Sequence, residues 1–212
     1  MFQDPRVALA LNMAIDRDFI TQKVLKSPEI PVTYSLVPQG IKGYTAFTPE
    51  WASWSMDKRI AEAKKLLEEA GYTESNPLSF TISYNTLESN KIIAVAIAAM
   101  WKRLGVKAQL FNKEVAVHYA DMLSGKYEIG RGAWVADYVD PSSFIMLFTT
   151  LQASSTKEAM QNYKEAEQIL LKTNAIIPLY NYVAKTLVKP WVKGYESNNM
   201  DLHRIKYMSI SH

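Results

Sequence analysis

Leu78–Val135 reads LSFTISYNTLESNKIIAVAIAAMWKRLGVKAQLFNKEVAVHYADMLSGKYEIGRGAWV, and its hydrophobic period switches repeatedly. Leu78, Phe80, Ile82 and Tyr84 alternate with period two, which predicts a strand. KIIAVAIAAMWKRLG has helical spacing and ends on Gly105, where a helix stops. VKAQLF predicts a second strand, VAVHYADMLSG a helix closed by Gly125, and YEIGRGAWV a third strand. Strand, helix, strand, helix, strand with short connections is the signature of βαβ units. It predicts an α/β fold with a mostly parallel sheet flanked by helices.

Outward from that block, the N-terminal side is helical. Asp4-Pro5 is an N-cap and first-turn pair, and Val7, Ala10, Leu11, Ala14 and Ile15 make one apolar face. A polar break at residues 16–18 leads to a short helical run with Phe19, Ile20, Val24 and Leu25. SPEIPVTYSLVPQGIKGYTAFTPEW is rich in Pro and Gly and predicts a long loop hugging the surface. Ser55 is placed to cap a helix whose stripe is Ile60, Ala63, Leu67 and Ala70, with Gly71 just past its end. On the C-terminal side a short helix carries Phe144, Ile145, Leu147 and Phe148. Ser155 and Glu158 form a capping box for the next helix. AIIPLYNYVAKTLVKPWVKGYE predicts two aromatic-rich strands broken at Pro190, and IKYMSIS a strand-like tail.

Bulk composition excludes several functions. The 212 residues are 48% hydrophobic and 21% charged, enough for one large domain or two small ones. Net charge is +3 with the signs interspersed, so no basic block tracks phosphates and no nucleic-acid partner is expected. Without cysteine there is no disulfide, thiolate metal site or thiol nucleophile. His118, His203 and His212 lie far apart, which argues against a metal site, and His118 is expected on a helix surface. No cofactor is implied. No apolar run reaches the roughly 18 to 20 residues that cross a bilayer. MFQDPRV reads as the start of a helix rather than a signal peptide, so the chain is either cytosolic or lacks its natural N-terminus.

GRGAWVADYVDPSSF, Gly130–Phe144, puts Arg131, Trp134, Asp137 and Tyr138 on the third predicted strand and the turn beyond it. In open α/β sheets ligands sit outside the C-terminal ends of the strands. Two charges flanking an apolar stretch are costly to bury unless paired. Arg131 and Asp137 therefore either pair with each other or receive a charged ligand, and the residues leave both readings open. Tyr44, Trp51, Trp54, Trp134, Tyr138, Tyr180, Tyr182 and Trp191 gather in loops and at strand ends, which suits a ligand pocket as well as a core. Catalytic signatures are missing: G-x-S-x-G is absent, and SMDK and SSTK sit at helix starts as caps. A peptide hydrolase using Asp137, Asp140 and Glu114 as acid and base is the alternative from another class. A scaffold without ligand affinity is a third.

Several blocks resemble the periplasmic oligopeptide-binding proteins, the solute-binding components of peptide ABC transporters. They are DPRVALALNMAIDRDFI, YSLVPQGIKGY, AKKLLEEAGY, YNTLESNKIIAVAIAAMWKRLGVKAQL, GRGAWVADYVDPSSF and YKEAEQILLKTNAIIPLYNYVAKTLVKPWVKGY, in family order over nearly the whole chain. The resemblance implies one lobe of a two-lobe hinged fold that closes over an extended peptide, without catalysis. By that resemblance, Asp137 matches the aspartate that pairs with the peptide α-ammonium. Arg131 matches the arginine that helps receive the carboxylate of short peptides, and Trp134 the tryptophan lining a side-chain pocket. Asn90 stands where the family often has a histidine, keeping a hydrogen bond but not a cation; Tyr138 completes the expected ligand-binding set. The first helix has Ala8 where the family usually has an arginine.

The implied partners are short peptides, cell-wall peptides included, and the membrane permease of the transporter. The protein is expected to be a monomer in the periplasm or cell envelope. Residues 1–185 correspond to the C-terminal lobe and 186–212 to the segment that crosses back to an N-terminal lobe. The family has a loop and the start of a helix that are missing near residues 150–151, so the chain reads as a fragment or trimmed lobe.

Overall fold

The computed structural model describes residues 2–148, 155–196, 198 and 203–211. Helix α1 (Pro5–Met13) begins as its cap dictates, with the Asp4 carboxylate accepting the Arg6 N–H at 2.9 Å. Its apolar face, Val7, Ala10 and Leu11, is buried, and Ala14 and Ile15 just beyond it are buried as well. Helix α2 (Arg17–Phe19) runs into a wide turn at Ile20–Val24. Helix α3 (Met56–Glu69) packs Ile60, Ala63 and Leu67 against α1. Ser55 Oγ accepts the Lys58 N–H at 3.3 Å. Ser55→Ala should therefore cost about 1 kcal/mol in urea unfolding; an unchanged midpoint would show that this cap contributes nothing.

The sheet follows the sequence order. Strand β1 (Ser79–Asn85), helix α4 (Glu88–Lys102), strand β2 (Lys107–Lys113), helix α5 (Val115–Leu123) and strand β3 (Ile129–Gly130) give a three-stranded sheet of order β2-β1-β3. Both pairings are parallel, in register from Ser79 with Lys107 to Asn85 with Lys113, and from Ile82 with Ile129 to Ser83 with Gly130. The core lies where α1, α3 and α4 meet this sheet. Phe80 meets Trp101 edge-to-face at 5.4 Å, and the Trp101 indole N–H donates to the Leu11 carbonyl at 2.8 Å. Burial of the large ring is thus achieved without orphaning its polar atom.

Beyond the sheet come helix α6 (Ser142–Ile145) and helix α7 (Thr156–Lys172), the latter capped by Ser155, whose hydroxyl accepts the Glu158 N–H at 3.3 Å. A separate antiparallel pair joins strand β4 (Val192–Lys193) to strand β5 (Ser209–Ile210). Gly194 is obligatory beside it: its φ is +76°, and a Cβ there would lie 2.0 Å from the Tyr207 carbonyl oxygen. No helix among the described residues is long and apolar enough to cross a membrane.

Four sequence expectations change. The third strand was expected through Val135, yet only Ile129 and Gly130 pair. Beyond them the Arg131 carbonyl is taken by a side chain, His118, rather than by β1. The segment 175–196 is extended but makes little sheet: Tyr180 forms a single bridge with Val32, and β4 has two residues. Extended propensity produces a strand only where a partner backbone lies alongside. The loop at 27–51 runs inward rather than over the surface, with Thr33, Ser35 and Val37 buried. Two side chains pin it. Arg17, 1% exposed, donates from Nε to the carbonyls of Thr33 and Pro178 and from Nη2 to Asn12 Oδ1 at 2.6 Å, with Tyr34 stacked at 4.2 Å. Burial lowers its pKa to about 10, which leaves it charged at neutral pH. Glu167 of α7, equally buried, accepts from Ser35 Oγ, the Val37 N–H and Tyr44 Oη at 2.6, 2.7 and 2.6 Å. The fourth change is His118, fully buried instead of on a helix surface. The junction expected near residues 150–151 lies outside the described residues.

Candidate functional site

Parallel pairing of β1 with β3 brings their C-terminal ends to one edge, and the chain leaves the sheet there at Arg131. The Arg131 N–H donates to the Ser83 carbonyl at 2.8 Å, and its own carbonyl meets His118 Nε2 at 2.8 Å. The loop that follows is held at its far end by Ser143. The Ser143 hydroxyl accepts the Asp137 N–H at 2.9 Å, and the Ser143 carbonyl accepts the Trp134 indole N–H at 2.7 Å. Ser143 is itself fixed because α6 buries Phe144 and Ile145 in a small second core with Val37. The Asp140 carboxylate accepts the Ser142 N–H at 2.9 Å and stabilises the turn into α6.

This loop carries the four expected residues of GRGAWVADYVDPSSF at one edge of the sheet. Asp137 is exposed and Arg131 half-buried, so neither charge is sequestered as the sequence suggested. The internal salt bridge is not formed: among the described residues neither charge has an ion-pair partner. The Arg131 guanidinium instead donates to the neutral phenol of Tyr182. Tyr182 meets Tyr180 edge-to-face at 5.3 Å. Burial first, and Tyr182 second, hold the Tyr180 phenol above its usual pKa, so it stays protonated. Trp134 and Tyr138 are 43% and 48% exposed, flanking the charges with apolar surface.

Asn90 is not brought to this surface. It is 1% exposed on α4, and its amide donates to Asn85 Oδ1 at 2.9 Å, bracing the end of β1. The aromatics also divide. Tyr44 and Trp51 are structural, bonded to Glu167 and packed on Tyr34 respectively, whereas Trp134, Tyr138 and Tyr182 lie toward the loop. His118 and Ser143 were missed as supports of the site. His118 had no readable signal, and Ser143 only the turn-forming DPSS run. Among the described residues no three His, Asp or Glu side chains are grouped to hold a metal ion. Of the carboxylates available to a hydrolase, Glu114 is occupied capping α5 through the Ala116 and Val117 N–H groups, and Asp140 is occupied in its turn.

An α/β unit that presents, among the described residues, charges without ion-pair partners and exposed aromatics at the C-terminal edge of a parallel sheet places them where ligands sit in such folds. The family model for bacterial extracellular solute-binding proteins, family 5 middle, matches residues 1–156, and the chain belongs to that family. The family is one of binding proteins, not enzymes. The periplasmic oligopeptide-binding protein OppA of Salmonella typhimurium is 39% identical over 216 aligned residues, covering 92% of this chain and 40% of the relative. The periplasmic murein peptide-binding protein MppA of Escherichia coli is 37% identical with the same coverage. The solved structure of that murein tripeptide-binding protein superposes with a TM-score of 0.85 at 34% identity, over 100% of this chain and 46% of the other. Haemophilus influenzae OppA in complex with the peptide RPPGFSPFR gives 0.82 at 32% identity, over 98% of this chain and 45% of the other. The chain thus spans less than half the length of these relatives.

Proposed function

We propose that this chain is the peptide-holding lobe of a periplasmic solute-binding protein that captures short peptides, cell-wall peptides included, and delivers them unaltered to the membrane permease of an ABC transporter. The observation that carries the reading is the loop 131–138, where opposite charges without ion-pair partners among the described residues stand beside exposed aromatics at the sheet edge. In this reading Asp137 receives the peptide α-ammonium, Arg131 the carboxylate of short peptides, and Trp134 and Tyr138 the side chains between. Residues 1–185 form the lobe, and 186–212 the segment leading to a second lobe that closes by a hinge. Recognition of termini and backbone leaves side-chain identity loosely constrained, which supports a broad peptide range.

The test is a calorimetric titration of the chain with a mixture of tri- to pentapeptides, followed by mass spectrometry of the peptides. Saturable heat with every peptide intact is expected. New peptide termini would replace the binding reading with a hydrolase, and absence of heat would leave a scaffold.

A further inference from the structure

We propose that His118 is a positioning residue for the ligand-holding loop, its imidazole setting the direction in which the chain leaves the sheet at Arg131; the inference rests on the peptide-binding reading of that loop. His118 is fully buried on α5, and both ring nitrogens are engaged. Nε2 lies 2.8 Å from the Arg131 carbonyl oxygen and Nδ1 3.3 Å from Ser83 Oγ. A carbonyl only accepts, so Nε2 carries the proton and Nδ1 accepts from the serine hydroxyl. Ser83 also takes the Arg131 N–H through its carbonyl, at 2.8 Å. The Arg131 backbone is thus gripped from two sides, by β1 through its N–H and by α5 through its C=O.

That grip ends the β3 ladder. It turns the chain outward one residue before Gly132, toward Trp134 and Asp137. A phenyl ring would fill the same space, yet it would orphan a part-buried carbonyl and a buried hydroxyl at this one point. Helix α5 and the turn after it sit close on the strand here: a Cβ on Gly130 would meet Tyr127 of the turn at 3.1 Å and Met122 of the helix at 3.4 Å. On its other side α5 is tied to the end of β2, where Lys113 holds the Asp121 carboxylate at 2.7 Å.

The experiment follows the Arg131 amide and the Trp134 indole N–H by two-dimensional NMR in the unsubstituted chain and in two variants, with amides of α1 as controls. His118→Gln, which can still donate to the carbonyl, should hold both signals near their native positions. His118→Phe should displace them and weaken binding of a tripeptide by about fivefold, no more than the loss of Asp137 itself, against less than about twofold for His118→Gln. Site signals unmoved in His118→Phe, or a Gln variant no better than Phe, would overturn the proposal. Should His118→Phe fail to fold, ring nitrogen signals showing Nε2 without a proton in the unsubstituted chain overturn it alone, since that nitrogen could not then donate to the Arg131 carbonyl. If no peptide binds, the functional reading fails while the NMR signals still decide the positioning role.

Discussion

Asp137→Ala should weaken tripeptide binding, N-acetylation of the peptide should weaken it by a similar amount, and combining the two should add almost nothing. The carboxylate is exposed and has no ion-pair partner among the described residues, so a ligand ammonium would displace no internal partner. Solvent access decides the size of the effect. In the 212-residue chain, where Asp137 is open to water, the expected loss is about 1 kcal/mol. Where a second wall closes over the pair it rises to about 2–5 kcal/mol, because the surviving charge is then stranded away from water. Calorimetry on the four combinations measures the coupling directly. An acetyl penalty that persists in full in Asp137→Ala would remove Asp137 from the site.

Glu167→Ala should destabilise the fold by about 3–5 kcal/mol, since charge-assisted hydrogen bonds contribute about 1.5–3 kcal/mol each and are not additive within one cluster. The carboxylate gathers Ser35, the Val37 backbone and Tyr44 from one loop onto α7, and its removal orphans three donors, two of them on buried residues. Glu167→Gln retains one acceptor oxygen, and the Tyr44 hydroxyl can rotate to accept from the new amide, so about 1–2 kcal/mol is expected there. Urea unfolding of the three proteins reads both values. A Glu167→Ala midpoint equal to that of the parent would show that the loop is held by Val37 and Arg17 packing instead. Because Val37 also backs Phe144 and Ile145 under Ser143, the alanine variant should loosen the Trp134–Asp137 loop as well.

The loop at the sheet edge was legible because its chemistry is written in adjacent residues. Arg131, Trp134, Asp137 and Tyr138 lie within one turn of chain, and the alternating strands before them placed that turn at a sheet edge. The choice between an internal salt bridge and a free pair was not legible. It depends on Tyr182, 51 residues away, which takes the guanidinium as a neutral partner. Asn90 shows the opposite limit. Its match to a family position implied a ligand contact, whereas its side chain here turns inward to Asn85.

Sequence by itself determined the order and type of the main elements, because hydrophobic period, caps and turn residues act over a few neighbours: Asp4 and Ser55 start their helices, and β1, α4, β2 and α5 fall where their periods put them. It also determined which short loop carries Arg131 and Asp137 beside the aromatics. Tertiary structure alone decided where β3 stops, which polar side chains are buried, and what holds the loop in place. Those outcomes depend on partners 13 residues away for His118 and Arg131, and 123 to 132 for Glu167 and the loop it gathers. A buried donor or acceptor is stable only when such a distant partner arrives with the right geometry, and no local pattern encodes that arrival.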